Sequence, residues 1–147
     1  MSSSTVVQMQ PLLSPLPVIL NIAAGSAQVP SIAPDQCNGL IQITGAQTGA
    51  GTITLPNPAL CPGAQLTIVY TNTAAALGVI MKVTDAAGTH FTGIVALSGG
   101  TTGSPSAASV SFTATAVAGD SIRLVSDGVS SWCFIATSGV AAGVSSP

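Results

Sequence analysis

Glutamate is absent from this chain, and ionisable groups of every kind are scarce. Lys82 and Arg123 are the two cations, Asp35, Asp85, Asp120 and Asp127 the four acids, and His90 the one histidine. Charged residues make up 4% of the 147 positions, with a formal net charge of −2; ordinary soluble domains carry about 25%. Two cations cannot form a basic patch, which argues against nucleic-acid binding by counterion release and against genome packaging. Aromatic residues are also few, at 3%. Cysteine occurs three times, as Cys37, Cys61 and Cys133, with no Cys-x-x-Cys spacing, so a zinc site is not expected. Cys133 reads as a core residue. Buried reduced thiols suit assembly in a reducing cytosol, while a Cys37–Cys61 disulfide is conceivable. The apolar run from Leu12 to Ile22 is interrupted by Pro15 and Pro17, and no Lys or Arg precedes it. A secretory leader is therefore not expected, and the run is too short and broken for a membrane span.

A surface this poor in charge does little to keep copies apart. Sheet edges are normally guarded by lysine or other charges, and one lysine cannot guard several. The composition points to a subunit that lives in an assembly. The alternative is a neutral surface wetted by Ser, Thr, Asn and Gln.

What is present divides at residue 36. Residues 1–36 hold five of the ten prolines and read as an extended apolar arm, because proline breaks helices. Leu12, Leu13, Leu16, Val18, Ile19, Leu20 and Ile22 are too apolar for a solvated linker and form the candidate assembly contact. Val18 to Ile22 is either an edge strand of its own sheet or part of an arm reaching a neighbouring subunit. Residues 37–147 show a period of two and read as a β-sandwich domain with a short Ser/Ala/Gly tail. Ile41/Ile43, Ile53/Leu55, Leu66/Ile68/Tyr70, Met81/Val83 and Val110/Phe112 mark strands, His90 to Leu97 a weaker one, and Gly99 to Ser106 a loop. Ile122 and Leu124 face opposite to Arg123 and Val125, Asp127-Gly128 turns the chain, and Trp132 to Ile135 reads as a strand buried on both faces. Residues 62–69 echo residues 118–125. The fold class is all-β: an antiparallel sandwich, jelly-roll-like, with an N-terminal arm.

Catalytic signals are weak. Gly-x-Ser-x-Gly is absent, and a Ser–His–Asp triad would have to use His90 with Asp85 or another aspartate. The aspartates sit at turns, where Asp is expected without any catalytic pair. Gly99 to Ser104 lacks the lysine of a phosphate-binding loop. Lys82 and Arg123 read as partners in structural or intersubunit ion pairs, Tyr70 and Trp132 as core. The chain is not expected to be an enzyme or to hold a metal or cofactor.

Two stretches carry a resemblance. Gly51-Thr-Ile-Thr-Leu-Pro-Asn-Pro-Ala-Leu-Cys-Pro-Gly-Ala-Gln-Leu-Thr-Ile-Val-Tyr-Thr-Asn72 resembles the strand–loop–strand of small β-rich virion surface proteins of tailed bacteriophages. Gly119-Asp-Ser-Ile-Arg-Leu-Val-Ser-Asp-Gly-Val-Ser-Ser-Trp132 is similar to their closing hairpin, although Cys133 stands where those modules often carry an aromatic. Residues 51–136 are covered, and no functional residue carries over. The resemblance implies an all-β, often trimeric module on the outside of a virion. The expected function is a capsid decoration or cement protein, assembled in the host cytoplasm. It would bind the major capsid protein and bridge its neighbouring copies, and would bind neither nucleic acid nor membrane. The rival reading is a head or tail fibre module that binds host-surface glycans.

Overall fold

The computed structural model describes residues 18–22, 30–45, 47–72, 80–86 and 90–146. Leu12, Leu13 and Leu16 lie outside them. The strands are β1 (Val18–Ile22), β2 (Gly39–Ile43), β3 (Gly51–Leu55), β4 (Gln65–Tyr70), β5 (Met81–Asp85), β6 (His90–Leu97), β7 (Gly100–Ala107), β8 (Val110–Phe112), β9 (Ser121–Ser126), β10 (Ser131–Thr137) and β11 (Val144–Ser145). Short 3-10 turns occupy Pro34–Gln36 and Pro58–Leu60. The strands form a seven-stranded sheet in the order β1-β2-β4-β9-β10-β6-β7 and a four-stranded sheet in the order β11-β8-β5-β3. The protein is all-β, and the inward residues of both sheets join in a single hydrophobic cluster.

The expected antiparallel arrangement is corrected to a mixed one. β1 runs parallel to β2, β2 to β4, β3 to β5, and β6 to β10. The cause is the path of the chain. β2 lies in the large sheet, β3 in the small one, β4 in the large, β5 in the small. A chain that crosses to the opposite layer and returns re-enters its first sheet pointing the same way. Short turns between neighbours would instead have made hairpins. The path begins earlier, since Ser31 bridges Thr54 of β3 in parallel. The Ile32 N–H donates to the Thr54 carbonyl at 2.8 Å and the Thr54 N–H to the Pro30 carbonyl at 2.9 Å.

Of the two alternatives for Val18–Ile22, the edge strand is what forms. Ile22 is buried, and its carbonyl accepts from the Thr44 N–H at 2.9 Å. A second correction concerns residues 99–106. Gly99 is in a turn, but residues 100–106 belong to β7, paired antiparallel with β6. Glycine and proline argued for a loop, but an edge strand pairs on one side only and tolerates a residue without an N–H, here Pro105.

The two echoed segments turn out to be neighbours. β4 and β9 pair antiparallel, with Ile68 opposite Ile122 and Leu66 opposite Leu124. Each strand starts beside the end of the other: the Gly63 N–H donates to the Ser126 carbonyl at 3.2 Å and the Gly119 N–H to that of Tyr70 at 2.9 Å. Both glycines have positive φ, at 71° and 100°, where side chains are disfavoured.

The largest buried side chains come from β10, β4, β6 and β8. Trp132, Tyr70, Phe91 and Phe112 are fully buried, and the Trp132 Nε1–H donates to the Pro56 carbonyl at 3.2 Å, tying β10 to the end of β3. Gly93 on β6 sits so close to β10 that a Cβ there would lie 1.9 Å from the Phe134 carbonyl oxygen. Gly93→Ala should therefore lower stability by about 1–3 kcal/mol. Gly139→Ala, where nothing lies within 4 Å of the added carbon, should be nearly neutral, as chemical denaturation of both variants would reveal.

The β9–β10 turn is organised by Asp127. Its Oδ1 accepts from the N–H groups of Val129, Ser130 and Ser131 at 2.8, 2.9 and 2.9 Å. Those bonds, with Ser131 contributing most, hold the carboxyl below the ordinary value of 3.8. A carboxyl whose folded pKa is depressed stabilises the fold above its unfolded pKa, and that contribution is lost as pH falls through the folded value. Asp127→Asn should thus flatten the acid limb of the stability–pH curve below about pH 4, measured by denaturation at stepped pH, and leave the curve's shape at neutral pH unchanged.

Candidate functional site

Period-two burial sets the outer faces. β9 reads Ile122 in, Arg123 out, Leu124 in, Val125 out; β10 reads Trp132 in, Cys133 out, Phe134 in, Ile135 out. The expectation that residues 132–135 are buried on both faces is therefore corrected, as is the core placement of Cys133, which is exposed. An unbroken run of apolar residues looked two-sided only because its outward members happen to be apolar as well.

Strand registers gather these outward residues. One row crosses five strands of the large sheet: Ile94 of β6, Ile135 of β10, Arg123 of β9, Thr67 of β4 and Leu40 of β2. The next row runs Thr92, Cys133, Val125, Gln65. Ile94, Val125 and Ile135 are 40%, 43% and 50% exposed. Arg123 is the lone charged group of the two rows, and together with Val125, Cys133 and Ile135 it lines a depression of about 230 Å³. That is smaller than the ~300–1,000 Å³ of typical small-molecule sites. The patch is a platform rather than a pocket.

The outer face of the small sheet is different. Its register aligns Thr52, Lys82, Ser111 and Ser145, so hydroxyls and one ammonium clothe it. Lys82 and Ser145 of that row are exposed and Ser111 is buried, whereas the large sheet exposes Ile94, Val125 and Ile135.

The carboxylates of Asp120 and Asp127 accept from backbone N–H groups. Asp120 is buried and joins two loops, its Oδ2 accepting from the Val117 N–H and its Oδ1 from the Gly139 N–H, both at 2.9 Å. Asp35 is exposed in the first 3-10 turn and Asp85 buried at the end of β5. His90 opens β6, and its side chain, with the triad reading that depends on it, lies outside the described residues. Among the described residues no group of three His, Cys, Asp or Glu side chains could hold a metal. Tyr70 and Trp132 are wholly buried. Burial pushes the Tyr70 phenol pKa up, opposed by a hydrogen bond with Asn72.

Cys37 and Cys61 are buried with free thiols. Burial, then the neighbouring Cys61, pushes the Cys37 thiol up to about 12, and burial likewise raises Cys61. No helix among the described residues is long and apolar enough to cross a membrane. No protein-family model, curated protein or solved structure matches the chain.

Accessibility separates the three thiols. In the native protein a maleimide should label Cys133 rapidly and Cys37 and Cys61 only after denaturation; mass spectrometry of the labelled chain would show one adduct before unfolding and the remainder after.

Proposed function

We propose that this chain is a structural virion protein, a capsid decoration or cement protein that stabilises a phage head by bridging neighbouring copies of the major capsid protein. Copies associate, three to a cluster, and present the large sheet to protein rather than to water. One observation carries the reading: the Ile94–Ile135–Val125 face is exposed in a chain with almost no charge to keep it solvated. Five strands about 4.8 Å apart and about six residues long make a platform roughly 20 Å on a side. That is on the order of half the ~800 Å² each partner gives to a stable interface. The apolar leader, with Leu12, Leu13, Leu16, Val18, Ile19 and Leu20, is assigned the other half. Ile22 belongs to the domain's own core. The jelly-roll form and the trimer come from the resemblance of residues 51–136 to phage surface modules.

The rival glycan-binding fibre module needs an exposed aromatic or an Asp/Asn cluster in a groove; of the aromatic candidates, Trp132 and Tyr70 are inside. The capsid reading is tested by sedimentation. The wild-type protein should run as a multi-subunit species and pellet with phage capsid shells. The double variant Ile94→Lys, Ile135→Lys should keep the same circular dichroism, run as a single chain and stay in the supernatant. A wild-type chain that remains single at high concentration and never pellets with shells ends the proposal.

A further inference from the structure

The two 3-10 turns are built alike. Ala33-Pro34-Asp35-Gln36-Cys37 and Asn57-Pro58-Ala59-Leu60-Cys61 each place proline at the start of the turn and cysteine at its end. In each, the cysteine N–H donates to the proline carbonyl, at 3.4 and 3.1 Å. Each thiol reaches the carbonyl four residues back, Ala33 at 3.4 Å and Asn57 at 3.6 Å. The parallel register sets Gly39 of β2 against Leu66 of β4, so the turn before one strand lies beside the turn before the other. The Gln65 N–H donates to Asn38 Oδ1 at 2.9 Å and closes the gap between them. Cys37 and Cys61 are both buried in the one hydrophobic cluster, and Cys61 is the neighbouring group that adds to the effect of burial on the Cys37 thiol.

We propose that Cys37 and Cys61 form a redox site, a pair of thiols that closes to an intrachain disulfide when the chain meets a small disulfide oxidant such as glutathione disulfide. Two matched turns that deliver two sulfurs to one point satisfy the main demand of a disulfide, which is proximity of the two backbones. Cys61 is the attacking residue: it retains slight exposure where Cys37 has none, and hydrogen bonds with Cys37 and Ser126 offset part of the effect of burial on its thiolate. Its sulfur bonds to one sulfur of the oxidant and releases a glutathione thiolate. Cys37 then attacks the mixed disulfide at Cys61 and displaces the second glutathione. The two thiol protons end on the two glutathiones, which take up the two electrons. Burial makes both steps slow, so the site stays open in a reducing cytosol and closes on long exposure to an oxidising medium. Closure ties the segment ahead of β2 to the turn ahead of β4. Nothing in this chemistry depends on the capsid reading.

The test uses full-length protein, wild type and Cys133→Ser, equilibrated in glutathione disulfide at mildly alkaline pH, then denatured and titrated for thiols. Wild type should retain one accessible thiol at most, and Cys133→Ser none. The Cys133→Ser chain should lose two hydrogens in mass, carry no glutathione and show no dimer. Its melting temperature should rise by on the order of 10 °C, and dithiothreitol should reverse every change. Adding Cys37→Ala to Cys133→Ser should leave Cys61 either free or carrying one glutathione. The proposal is overturned if Cys133→Ser still keeps both thiols when the incubation in glutathione disulfide is prolonged far beyond the time that oxidises Cys133 in the wild type. It is equally overturned if the product is a glutathione adduct without closure, or a disulfide between chains.

Discussion

The alternation of successive strands between two sheets governs the architecture. β2 and β4 can lie side by side only because β3 has carried the chain across the core and back, and β3 and β5 only because β4 has done the same. Each crossing forces a parallel pairing, and each places a strand's inward residues opposite those of the other layer. Ile41, Ile43, Leu66 and Ile68 thereby meet Ile53, Leu55, Met81 and Val83 in one cluster. The chain beyond β6 follows a different logic, with the β6–β7 and β9–β10 hairpins lying within the large sheet. Trp132 sits where the two regimes join, and its indole N–H engages the backbone just past β3.

With so few ionic groups, the protein relies on backbone ladders and short side chains for its polar satisfaction. Two of the four carboxylates are committed to turns. Asp127 collects three N–H groups of the β9–β10 connection, and Asp120 holds the loop before β9 to the loop after β10. Gly143 packs so closely on Asp120 that a Cβ there would lie 2.3 Å from its Oδ2. Asp120 is buried and tolerated there because donors surround it, Asp127 is exposed, and the two act as clasps at opposite ends of one hairpin.

Strands were legible from the sequence because a period of two is a local signal. Ile122/Leu124 against Arg123/Val125 split between faces as their alternation requires, and Asp127-Gly128 turns where its chemistry demands. Sheet membership was not legible. Nothing local in Ile53-Thr54-Leu55 distinguishes a strand of the opposite layer from the next strand of the same one, so parallel pairing was invisible. Residues 99–106 read as a loop because glycine, serine and proline are frequent in them, and only the presence of β6 alongside makes an edge strand of residues 100–107. The greasy face was hidden by its own composition. Cys133 and Ile135 look like core in the sequence, and their exposure follows from their outward place in the alternation of β10. The kinship of the two Pro-x-x-Cys turns was available in the sequence, but without the β2–β4 register nothing brings them together.

The central position of β10 bears on how the chain is made. β10 joins β9, five residues upstream, to β6, which ends more than thirty residues before it. As long as the ribosome has not delivered residues 131–137, β6 and β9 each present an unpaired edge, with Arg123 of β9 the one Lys, Arg, Asp or Glu on either to repel a neighbouring nascent chain. Long-range parallel closure of this kind is slow, so the interval between synthesis of β9 and docking of β10 is when this protein is most exposed to misassociation.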